Sequence, residues 1–275
     1  MMDDKILKII DSNPIVIKNI ENLSEEMKLR AIKKDGIMIR YIKNPTKEMQ
    51  DMAIRSNPRA IEYIEDPTYD MKKYVVSKIW NTLDSIENPC EELIKIGIKQ
   101  KGYAIKYSKN PSIELQKLAI EKDYDSIKYI VNPIEEMQLL AIKINYDALR
   151  YIENATIGAE ILAITENEAA IKFISNLDEN KKLLLLKYNA LVMKYFINDL
   201  PRDAVEMAFQ EVLSKEAVSE KYVRDFINCE SINAKYGNIS LDKIIFIYKY
   251  GSSLCKKVAV DEKLKMKHEE INYEF

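Results

Sequence analysis

Histidine is almost absent from this chain: its 275 residues include one, His268, in a highly charged stretch near the end. Histidine-based triads, multi-histidine metal sites and histidine general-base schemes therefore have almost no raw material. Glycine is scarce too, and none of the six forms G-x-G-x-x-G or G-x-x-x-x-G-K, which removes the glycine-rich phosphate loops. The three cysteines, Cys90, Cys229 and Cys255, are odd in number, widely spaced and lack a C-x-x-C pair. Neither a disulfide framework nor a zinc site is indicated. Free cysteines of this kind usually behave as small buried apolar residues. No apolar run approaches the length of a membrane span, and the start, Met1-Met2-Asp3-Asp4, does not read as a signal peptide. Charge of one sign is lacking as well: 42 Lys and Arg face 44 Asp and Glu, for a net charge of -2. That balance argues against a dedicated nucleic-acid binder. Together these absences lead to the expectation of a soluble, cytoplasmic protein with no cofactor, no metal and no catalytic centre.

What the chain does have is a period. Asn22, Asn44, Asp66, Asn88, Asn110, Asn132, Asn154, Asn176 and Asn198 follow one another every 22 residues, without insertion or deletion. Proline comes next in five of these copies, at Pro45, Pro67, Pro89, Pro111 and Pro133. Counting the asparagine as position 1, the unit reads approximately N-P-[ST]-x-E-[ML]-Q-x-[LM]-A-I-x-x-[DN]-x-x-[AS]-I-x-Y-I-x. A fixed period of this length is the signature of stacked repeats.

The unit reads as two helices. Proline suits a first helical turn and discourages helical angles in the residue before it, so Asn-Pro is expected to end one helix and start the next. Asparagine fits both duties, as a side-chain cap and as a residue that tolerates the left-handed conformation. Position 5 is acidic at Glu26, Glu48, Asp70, Glu92, Glu114 and Glu136, where the positive end of the helix dipole favours a carboxylate. That role accounts for the recurring carboxylates better than a catalytic acid pair does. Positions 6, 9, 10 and 11 are apolar, with a small residue at 10, and together they are too broad for a simple stripe. A break at positions 14 to 16, marked by Gly36, Pro58 and Gly102, precedes a shorter helix with apolar residues at 17, 18 and 21. Neither helix buries its apolar face within one unit, so stability comes from stacking. The fold class is all-α, a right-handed α-solenoid of two-helix repeats with a helical C-terminal cap.

Three regions follow. Residues 1–21 form an N-terminal half repeat, because Asn13 to Glu21 aligns with Asn57 to Glu65. Residues 22–199 are the tandem repeats; the copy at 66–87 is irregular, with Trp80 present and Ser85 where others have tyrosine. Residues 200–275 read as longer helices near 202–215, 217–229, 240–250 and 252–271, with Ser240 as an N-cap and Gly251 as a terminator. They supply the cap that a stack needs at its end. The charged segment from Lys256 onward frays or docks on a partner.

Position 19 is polar although it adjoins the core. It is Arg40, Glu62, Asp84, Lys106, Lys128, Arg150, Lys172 and Lys194, the last five all basic, with Tyr107, Tyr129, Tyr151, Phe173 and Tyr195 beside them at position 20. Stacking would line these residues into a ridge suited to an acidic protein surface or to a nucleic-acid backbone. The plainer alternative is a solvated helix side, with lysine stems covering apolar neighbours and rings packed between repeats. The irregular Trp80 copy is a second candidate surface.

The core N-P-[ST]-x-E-x-Q-x-x-A-[IV], carried best by 44–54, 110–120 and 132–142, resembles a family of short tandem helical repeats of unknown function found in bacterial and phage proteins. The likeness covers residues 22–197 and is clearest up to 153. It implies a non-catalytic scaffold for a protein partner, one form being a phage-type inhibitor that occludes a host defence protein. The competing expectation is a nucleic-acid-binding solenoid that uses the basic and tyrosine ridge.

Overall fold

A computed structural model describes the backbone of residues 2–196, 198–232, 239 and 241–272, with side chains from residue 4 and up to residue 265. All regular structure among the described residues is helical. The chain divides into two compact units, 1–131 and 132–275, each a helical-repeat stack.

In the first unit, five ten-residue α-helices, Glu25–Lys34, Lys47–Ser56, Tyr69–Lys78, Glu91–Gln100 and Ile113–Lys122, each lead into a six-residue 3-10 helix. Those second helices are Gly36–Tyr41, Pro58–Tyr63, Trp80–Ser85, Gly102–Tyr107 and Tyr124–Tyr129. The shorter helix expected from the sequence is thus of the tighter kind, closed by i to i-3 bonds such as Ile64 N–H to the Ile61 carbonyl at 3.1 Å. Before Asn22 the chain holds both members of a pair, Met2–Ser12 and Pro14–Asn19, although the motif reaches only the second.

The capping assignment needs correction. The N-cap of each α-helix lies at position 3, not at the asparagine: the side chains of Ser24, Thr46, Thr68 and Ser112 accept the N–H of the residue three positions on. Proline therefore precedes the cap, where its fixed φ sets the extended entry of the chain. The other duty foreseen for asparagine holds in alternate copies: Asn44, Asn88, Asn132 and Asn176 have φ of 49°, 46°, 49° and 54°. Acidic residues do occupy the first turns, as at Glu48, Asp70, Glu92 and Glu114.

Positions 6, 10 and 11 form the core, with Met49, Ala53, Ile54, Leu115, Ala119 and Ile120 all buried. Position 9 is only half-buried at Met52, Ile96 and Leu118, so it widens the face without entering the core. From the second helix, positions 17, 18 and 21 bury Ala60, Ile61 and Ile64. Between them position 19 is exposed, which follows from the short pitch of a 3-10 turn.

The second unit continues the pattern with Glu135–Ile144, Ile157–Glu166 and Glu179–Leu186, each followed by a 3-10 helix, Tyr146–Tyr151, Glu168–Phe173 and Ala190–Tyr195. The hydrophobic phase survives the loss of proline: Ile164, Ile171, Ile174, Leu186 and Phe196 are buried. Helices then follow at Arg202–Leu213, Glu220–Asn228, Lys243–Tyr250 and Ser253–Asn272, near the expected positions, but only the first and last are longer than the repeat helices; the middle two have 9 and 8 residues. The Lys243 helix is capped by Asp242, whose side chain accepts the Ile245 N–H at 2.9 Å. Ser240, the expected cap, lies outside the described residues, as does the His268 side chain. Phe209, Phe226, Phe246 and Tyr250 stack through this region at centroid distances of 4.8, 6.0 and 4.9 Å. The Tyr222 hydroxyl donates to the Leu186 carbonyl at 2.9 Å, joining the cap to the last repeat helix.

Candidate binding edge

Every position-19 side chain from Arg40 to Lys194 is exposed, and the position-20 rings beside them are mostly half-buried. The 3-10 helix produces this pairing. Its first residues turn position 18 into the core, which leaves position 19 at the rim and lays the ring at 20 along the boundary between neighbouring repeats.

In the first unit the Arg40 guanidinium carbon lies 4.6 Å from the Tyr41 ring centroid and 5.8 Å from that of Tyr63 in the next repeat. Lys106 Nζ lies 4.7 Å from the centroid of Tyr107 and 5.7 Å from that of Trp80. Lys128 Nζ is 4.2 Å from the Tyr103 centroid and 5.2 Å from that of Tyr129, and it pairs with Asp125 at 3.0 Å. In the second unit Arg150 lies 5.9 Å from the Tyr151 centroid and 4.8 Å from that of Phe173. Lys172 and Lys194 both lie over Tyr195, at 5.7 and 5.2 Å, and Lys194 also pairs with Glu168. The cations thus cover aromatic surface, as the plainer reading expects, while staying at the exposed rim.

The electrostatics separate the cations. Burial works against the charge on Lys128, but hydrogen bonds with Asp125 and Tyr103 outweigh it and raise its pKa. Asp125 is pushed up by burial and pulled down further by Tyr103 and Lys128, so that it ends below the usual carboxylate range. The pair of Lys194 with Glu168 raises the lysine and lowers the acid. Lys128 and Lys194 are therefore largely neutralised within the fold. Among the described residues Lys106, Arg150 and Lys172 form no ion pair, and the last two stand in adjacent repeats of the second unit.

Several residues of this edge were not foreseen. Tyr103 donates to Asp125, Lys101 pairs with Asp123 at 2.8 Å, and the Tyr103 and Tyr129 rings meet edge to face at 5.4 Å. Tyr103 and Asp125, and likewise Lys101 and Asp123, are 22 residues apart; in an array of this period such residues are neighbours in adjacent layers, which is the signal that identifies them. The Tyr107 hydroxyl is buried without a hydrogen bond of good geometry and lies close to the Asp84 carboxylate. That burial, with the nearby Asp84 carboxylate, drives its pKa well above the ordinary tyrosine value.

Among the described residues no group of His, Cys, Asp and Glu is placed to hold a metal ion, and no helix is long and apolar enough to cross a membrane. Comparisons with protein-family models, with curated proteins and with solved structures found no match.

Proposed function

We propose that this protein is a non-catalytic helical-repeat scaffold that binds a partner protein, and that the rim of the second unit around Arg150 and Lys172 receives an acidic part of that partner. The carrying observation is the combination of exposure and unspent charge at these two residues, each over a ring of the adjacent repeat. The rings hold the cations in place, which lowers the ordering cost of binding. An inhibitor that occludes a host protein is a specific form of this reading, and it rests on the motif resemblance alone.

Nucleic-acid binding is the second reading. It has less support, because two of the five basic position-19 residues are already paired with carboxylates and the net charge of the whole chain is -2. Salt separates the two readings. A contact to Z phosphates loses affinity with a slope of about -0.9Z in a log-log plot, whereas a protein contact through the two cations Arg150 and Lys172 is screened only to the extent of that pair. A shallow decline of partner-protein binding with added salt is the expected result. Loss of all bound material with a steep slope, together with saturable binding of an oligonucleotide, would favour the second reading.

A further inference from the structure

The cation-over-ring pattern is interrupted across two consecutive copies, 44–65 and the irregular 66–87. Ser85 stands at position 20 where the other repeats carry a ring, and a crevice of about 180 Å³ opens there, lined by Arg59, Glu62, Asn81, Thr82, Asp84 and Ser85. Position 19 changes sign at the same place, to Glu62 and Asp84, both exposed and, among the described residues, in no ion pair. Arg59, the one cation lining the crevice, lies within salt-bridge distance of neither carboxylate. On either side the aromatic column resumes, with Tyr63 exposed in one repeat and Tyr107 near Trp80 at 6.4 Å in the other. The buried Tyr107 hydroxyl, without a hydrogen bond of good geometry, neighbours Asp84.

We infer that this crevice is a socket for one arginine side chain presented by a partner protein. One layer away the same register shows how a guanidinium sits there: Arg40 lies over Tyr41 and reaches the Tyr63 ring of the following repeat. Across these two copies Glu62 and Asp84 replace the intramolecular cations, and in the irregular copy Ser85 replaces the ring, which leaves two carboxylates and a space of side-chain size. A guanidinium fits this chemistry better than an ammonium, because its planar fork meets two carboxylates while its faces remain free for the aromatic neighbours. The socket rests on the scaffold reading only in that its natural ligand belongs to a protein; its recognition chemistry stands apart from the rim at Arg150 and Lys172.

The chain carries its own reporter, since Trp80 is its single tryptophan and opens the helix that forms one wall. Titration of the full protein with the peptide acetyl-Gly-Arg-Gly-amide should change Trp80 fluorescence saturably, and the same peptide with neutral citrulline should not. The E62Q/D84N variant removes both charges without changing side-chain size, and it should bind the arginine peptide at least about tenfold more weakly, as expected for a charge-assisted bidentate contact. R59A should bind the peptide at least as tightly as the wild type. R150E/K172E should leave the titration unchanged even where it abolishes partner capture, so failure of the socket is distinct from failure of the scaffold reading. Equal responses to arginine and citrulline, or an unaltered titration in E62Q/D84N with circular dichroism matching the wild type, would overturn the proposal.

Discussion

The Asp123 carboxylate accepts the Gly102 backbone N–H at 2.7 Å, tying the 3-10 helix of one repeat to the end of the α-helix in the next. Gly102 can approach this closely because it has no side chain; a Cβ there would lie 2.4 Å from the Ala119 carbonyl oxygen. The G102A substitution forces the two layers apart and is expected to cost about 1–3 kcal/mol. D123A leaves the amide without its partner, at a cost of about 1–3 kcal/mol. Because repeat arrays open locally, hydrogen exchange of the amides between 102 and 123 is the appropriate measurement. Unchanged exchange in both variants would show that this contact is not what couples the layers.

The caps and the asparagines make separable contributions. T46A removes a side-chain acceptor from the Met49 N–H and is expected to destabilise by about 1 kcal/mol. N44A places alanine at a φ of 49° and is expected to cost about 1 kcal/mol through backbone strain, while N44G relieves it. Asn110 has no such φ, so N110A is expected to have the smaller effect. Urea melts of the four variants test this ordering; equal losses in N44A and N110A would contradict it.

Acid should weaken the first unit in part through Asp125. A carboxylate whose folded pKa is lowered stabilises the fold above its unfolded value of about 3.9, and that contribution is lost as the pH falls through the folded value. Tyr103 and Lys128 hold Asp125 in this state. D125N is therefore expected to lower Tm at pH 7 and to flatten its decline below about pH 4. Parallel Tm curves for D125N and the wild type would show that the network adds nothing to stability.

Much of this architecture is legible in the sequence because a fixed 22-residue register places each residue type in the same environment in every layer. Met49, Ala53 and Ile54 reveal the core face, and Asn198 marks where the motif gives way to helices of irregular length. The cap is harder to read, since Asn44 and Thr46 are both good N-cap residues and only the path of the backbone decides between them. The 3-10 character of Pro58–Tyr63 is equally hidden, because a six-residue apolar pattern fits either helix pitch. At position 19 the sequence identifies the exposed basic side chains, Lys106 and Lys128 in the first unit and Arg150, Lys172 and Lys194 in the second, but not their pairing. Whether Lys128 is spent depends on Asp125, and whether Lys194 is spent depends on Glu168. Those distances emerge only once the layers are stacked.

Among the described residues pairing leaves Lys106, Arg150 and Lys172 without a carboxylate, and the choice of the two in the second unit, Arg150 and Lys172, as the proposed binding rim can be tested in one comparison. Tagged wild-type protein and the R150E/K172E variant, shown to be equally helical, are recovered from lysate of the natural host with and without nuclease treatment, and the co-purifying material is quantified. The account predicts a stoichiometric protein retained by the wild type and lost from the variant. Equal retention by the two proteins, or recovery only of nuclease-sensitive nucleic acid, would contradict it.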